Sequence, residues 1–67
     1  MIGNALRNAR IEAGLSQEEL GLRAGVDRSY ISEIERDIKS PTIKMFIRLC
    51  RELAIKPSEL ISVLDDE

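Results

Sequence analysis

Few side chains here are equipped for covalent or acid–base chemistry. The 67 residues include no histidine and a single cysteine, Cys50, so the commonest general base is missing and only one thiol is available. Cys50 falls on an apolar stripe at helical spacing, where a small side chain packs. One cysteine cannot close an internal disulfide, and a metal site would have to be built from carboxylates alone. No metal, cofactor or small-molecule ligand is expected, and an enzyme is a poor match.

Charge is the more informative chemistry. The net charge of −2 counts against a polyanionic partner, because phosphate contacts call for an excess of lysine and arginine. Its distribution points the other way. Residues 1–22 carry two bases and three acids, residues 23–56 eight bases and five acids, and residues 57–67 four acids and no base. The middle is therefore +3 and the end −4, which suits a basic face with an acidic end held apart from it, and equally an ordinary scatter of surface charge.

The elements that must position these charges are helical. Ile2, Ala5, Leu6, Ala9 and Ala13 recur at spacings of three and four, and Gly14 stops that helix. Ser16-Gln17-Glu18-Glu19 has the form of a capping box, so a second helix begins at Gln17, with Leu20 and Ala24 inside and Gly25 ending it. Asp27 caps a third helix after a buried Val26; Ile31 and Ile34 form its inner side, and it runs to about Arg36. Residues 37–41 form a loop. Thr42 caps a fourth helix with the stripe Ile43, Phe46, Ile47, Cys50 and Leu53, and Pro57 opens a fifth containing Leu60, Ile61 and Leu64. The prediction is an all-α fold of five helices with no strand, forming a single domain over residues 1–67. No apolar run approaches the roughly 18 residues of a membrane span and no secretory signal opens the chain, so a cytoplasmic protein is expected.

Two short helices joined by Gly25-Val26-Asp27 form an angled pair whose second member faces outward. Gly21, inside the second helix, costs roughly 0.5–1 kcal/mol relative to alanine, and a close approach between the helices would compensate.

The segments Leu15-Ser16-Gln17-Glu18-Glu19-Leu20 and Ala24-Gly25-Val26-Asp27-Arg28-Ser29-Tyr30-Ile31-Ser32-Glu33-Ile34-Glu35-Arg36 resemble the Cro/CI-type (XRE) helix-turn-helix family of phage repressors and small bacterial regulators. Pro41-Thr42-Ile43 and Pro57-Ser58-Glu59-Leu60 match that family's fourth and fifth helices, so the resemblance covers nearly the whole chain. Gly21 stands where the family usually has alanine, and Asp37 where it usually has glycine. Asp37 is therefore expected to take a left-handed conformation.

The resemblance implies a five-helix lambda-repressor-like domain that binds double-stranded DNA and regulates transcription, with the third helix in the major groove. Arg28, Ser29, Ser32 and Glu33 match the positions that face the bases. Arg28 has the geometry to donate twice to guanine O6 and N7, worth about 1–3 kcal/mol of discrimination, and Glu33 to accept from a cytosine N4. Ser29 and Ser32 are short and would read weakly or through water. Phosphate contacts are implied for Gln17 at the start of the second helix and for Tyr30, Arg36, Lys39, Ser40 and Lys44. Tyr30 would also pack its ring over the second helix. Arg10 and Glu35 match a largely buried salt bridge between the first and third helices. One motif covers only a few base pairs, so a homodimer on a palindrome is expected, with half-sites about 34–36 Å apart. Ile61 and Leu64 are the candidates for its interface, although both would serve equally to finish the core. An alternative consistent with the net charge is a protein-interaction module of the same fold, such as an antitoxin-like or polymerase-binding partner.

Overall fold

A computed structural model describes the backbone of residues 2–65 and the side chains as far as Ile61. Five helices follow one another: α1 (Ile2–Glu12), α2 (Gln17–Ala24), α3 (Arg28–Glu35), α4 (Ile43–Glu52) and α5 (Pro57–Asp65). Among the described residues there is no strand.

The helix ends lie where local chemistry puts them. Ser16 accepts from the Glu19 N–H at 3.0 Å while Glu19 accepts from the Ser16 N–H at 2.9 Å, so the capping box is complete. Gly25 ends α2 with φ of 75°, its N–H donating to the Gly21 carbonyl. Asp27 and Thr42 accept from the backbone N–H groups of Ser29 and Met45 and so start α3 and α4. Asp37 is left-handed at φ of 59°, as its place after the third helix requires. Ala54 is left-handed too, at φ of 55°. Its residue type gives no sign of this, since a Cβ disfavours that region by roughly 1–2 kcal/mol.

The core gathers Leu6, Leu20, Ile31, Ile34, Leu49, Cys50 and Leu60. α2 packs on α3 and α4, α1 on α3 and α5, and α4 also meets α5. Burying a side chain such as Ile31 or Ile34 contributes about 1.5–3 kcal/mol, so α3 is held by its inner row and leaves its other face uncovered. Val26 is half-buried, less enclosed than its sequence position suggests, and Ala13 lies exposed just beyond the end of α1.

α4 differs from the expected stripe. Leu49, Cys50 and Leu53 are buried and Met45 and Phe46 pack against them, whereas Ile43 is 80% exposed and Ile47 43%. Both faces have helical spacing because α4 carries apolar residues round more than half its circumference. The contacts with α2 and α5 select the face centred on Leu49 and Leu53, which rotates Ile43 and Ile47 outward. α5 makes a similar choice: Leu60 is buried, Ile61 is 48% exposed, and the side chain of Leu64 lies outside the described residues.

The close approach expected at Gly21 is made by the turn. A Cβ there would stand 2.7 Å from the Val26 carbonyl oxygen, so the glycine lets the turn fold back over α2.

Candidate nucleic-acid interface

α3 has eight residues and is therefore about 12 Å long, close to the width of a B-DNA major groove. Its inner residues Ile31, Ile34 and Glu35 are buried; Arg28 and Ser29 are exposed, and Ser32 and Glu33 are partly so. The four side chains expected at bases thus share the uncovered part of one short helix. Arg28 opens it and is exposed.

Ser29 is less free than its exposure suggests. Its hydroxyl and its backbone N–H both donate to the Asp27 carboxylate, so the serine is part of the helix cap. The same contacts, the hydroxyl first and the N–H second, hold the Asp27 carboxyl below its ordinary range. Glu19 is lowered in the same way by the Ser16 N–H and then by the Ser16 hydroxyl. Both are acids with depressed folded-state values, so their contribution is complete above the unfolded values near 4 and is lost as pH falls through the folded ones. Thermal melts of Asp27→Asn between pH 7 and pH 2 are expected to show a shallower acid limb than the parent, because asparagine caps without titrating. An unchanged limb would place the acid sensitivity elsewhere.

Glu33, Lys39 and Tyr30 come together. The backbone N–H groups of Ile38 and Lys39 donate to the Glu33 carbonyl at 2.9 and 3.3 Å, which folds the loop after α3 back over the helix. The Lys39 ammonium then lies 3.6 Å from the Glu33 carboxylate and 6.0 Å from the centre of the Tyr30 ring. Tyr30 is half-buried against the core. Arg36 folds back toward the Ser32 carbonyl, while Ser40 and Lys44 are exposed at either side of the Thr42 cap.

Gln17 joins α2 to the support beneath α3. Its amide donates to Glu35 at 3.0 Å, and Glu35 receives Arg10 through two bonds, from Nε at 2.6 Å and from the second terminal nitrogen at 3.0 Å. The remaining Arg10 nitrogen donates to the Leu15 carbonyl at 2.9 Å. The Arg10 and Glu35 side chains are only 11% and 3% exposed. Hydrogen bonding to Glu35 raises the guanidinium above its ordinary value against the opposing effect of burial, and the carboxylate charge adds to the rise. The Arg10–Glu35 bridge stands as the family resemblance implies; the Gln17 contact does not show in the sequence, where 18 positions separate it from Glu35. Gln17 has a second amide hydrogen beyond the one given to Glu35, and its backbone N–H lies in the first turn of α2.

Two cations not singled out from the sequence, Arg48 and Arg51, line a shallow cleft with Lys44 on the outer side of α4. The spacing Lys44, Arg48, Arg51 was a readable signal, since steps of four and three place side chains on one face.

The family model described as Helix-turn-helix matches residues 6–60. The uncharacterized HTH-type transcriptional regulator y4dJ of Sinorhizobium fredii is 32% identical over 98% of this chain and 86% of its own. Among solved structures, the restriction-modification controller protein C.AhdI of Aeromonas hydrophila is 39% identical, with a TM-score of 0.84 over 88% of this chain and 86% of that one. The biofilm master regulator SinR, solved in complex with DNA, is 35% identical, with a TM-score of 0.84 over 91% of this chain and 98% of that one.

Proposed function

The chain belongs to the Cro/CI-type helix-turn-helix family, and from that premise we propose that it is a transcriptional regulator that reads double-stranded DNA with α3 and is not an enzyme. The observation that carries this reading is the uncovered face of α3. A helix fixed from behind by Ile31, Ile34 and the Arg10–Glu35 bridge presents Arg28, Ser29, Ser32 and Glu33 together on the side away from the core. Arg28 reads guanine, and Glu33 accepts from a base amino group. Ser29, its own hydroxyl hydrogen given to Asp27, is left to accept. Gln17, Tyr30, Arg36, Ser40 and Lys44 fix the register on the phosphates. Lys39 stands apart from that set, because its ammonium already faces Glu33.

The working unit is a homodimer. Ile43 and Ile61 line a largely apolar groove of about 300 Å³ with Ile2, Ser40, Pro41 and Phe46. An uncovered apolar groove of this kind suits a second copy of the chain. Leu64, the other candidate for the interface, has its side chain outside the described residues.

Selection of bound duplexes from a random pool, run in parallel on the parent and Arg28→Ala, tests both parts. The parent is expected to enrich a two-fold symmetric sequence, and Arg28→Ala to lose preference at one symmetric base pair by about tenfold or more. Enrichment of a single half-site would remove the dimer. No enrichment at any salt concentration would remove the DNA reading in favour of a protein partner.

A further inference from the structure

Glu33 poses a difficulty for a helix that enters a groove walled by phosphates. A bare carboxylate there is repelled from both strands, and turning outward would be easier than meeting a base edge. The fold supplies a cation at this point. The loop after α3 is tied by two backbone bonds to the Glu33 carbonyl itself, so Lys39 is delivered to the carboxylate of the residue that anchors its own backbone. The ammonium also lies over the Tyr30 ring, 6.0 Å from its centre. The Glu33 side chain is 29% exposed, so the carboxylate that faces Lys39 is still reachable from outside.

We infer that Lys39 is a specificity-determining positioning residue, which neutralises and orients Glu33 so that the carboxylate selects a base carrying an exocyclic amino group, cytosine foremost. This rests on the reading of α3 as the groove-entering helix. A carboxylate has only acceptors, so it rejects the oxygen acceptors of thymine and guanine, and the N7 acceptor beside the amino group makes adenine second to cytosine. If Lys39 instead served as a phosphate contact, it would add affinity to every sequence alike and carry no base preference.

The experiment is duplex selection followed by competition binding for the parent, Lys39→Met, Lys39→Arg, Glu33→Gln and the Lys39→Met/Glu33→Gln double variant. Circular dichroism melts verify that each is folded. The parent is expected to prefer cytosine at one symmetric position by about tenfold. Lys39→Met should lower that preference about threefold, as fits a half-exposed ion pair, and Lys39→Arg should restore it. Glu33→Gln should move the preference to adenine, and adding Lys39→Met to it should leave the new preference unchanged. A uniform loss of affinity in Lys39→Met with the cytosine preference intact would overturn the inference while leaving the DNA reading in place. A parent motif with thymine or guanine opposite Glu33 would do the same. Failure of the parent to enrich any duplex would remove both.

Discussion

Arg10→Met is expected to destabilise the domain by on the order of 3–5 kcal/mol, the range for removing one partner of a buried ion pair. Methionine keeps most of the packing volume and none of the hydrogen bonds. Glu35, 3% exposed, would then retain only the Gln17 amide, and the Leu15 carbonyl would lose its donor. A 67-residue domain has a total stability of roughly 3–10 kcal/mol, so the loss takes most of it. Urea unfolding followed by circular dichroism reads the change directly. The double variant Arg10→Met/Glu35→Leu is expected to recover at least half of the loss, because the isolated carboxylate is removed with its partner and Gln17, half-buried, turns to water. A double variant as unstable as the single one would mean that the bridge acts through shape and not through charge.

This bridge also bears on function, because Glu35 is the last residue of α3 and Gln17 the first of α2. The side chain that fixes the depth of the reading helix is the one that holds the amide proposed to face a phosphate. Position and anchoring therefore share one buried group, and a variant weakened at Arg10 should lose affinity even at temperatures where it remains folded.

Much of this arrangement is legible in the sequence where the causes are local. Ser16 with Glu19, Asp27, Thr42 and Gly25 act within three or four residues of themselves, so helix number, order and ends follow from residue types. The outward face of α3 follows as well, since Ile31 and Ile34 leave only one side for Arg28, Ser29, Ser32 and Glu33. Where the sequence misleads, the deciding contact lies outside the element concerned. α4 offers two apolar faces of equal spacing, and only α2 and α5 select between them. Lys39 looks like a free loop cation until the backbone bonds of residues 38 and 39 bring it back over α3. Ala54 shows the limit from the other side: a residue of no turn preference is left-handed where the Ile55 N–H folds back to the Cys50 carbonyl at 3.0 Å and closes α4.

Gly3 had the plainest signal that spacing alone did not expose, a glycine beside the apolar row of α1. Gly3→Ala is expected to cost about 2 kcal/mol, within the range for overpacking, although alanine is the better helix former by roughly 0.5–1 kcal/mol. The added Cβ would lie 2.5 Å from the Ile34 carbonyl oxygen, 2.6 Å from that of Glu35 and 2.8 Å from the Glu35 carbonyl carbon. All three are backbone atoms at the end of α3, and none can rotate aside. Relief requires α1 to move off α3, which lengthens the Gly3 N–H bond to Asp37, now 3.1 Å, and loads the Arg10 bridge two turns further along the same face of the helix. Asn4→Ala is the control, because Asn4 is exposed on the same turn and should gain slightly from helix propensity. For a domain of this size the two melting temperatures should separate by about 8–16 °C. Equal melting temperatures would mean that α1 and α3 are not in backbone contact, and the depth at which α3 is held would then depend on Ile31, Ile34 and the Arg10–Glu35 bridge.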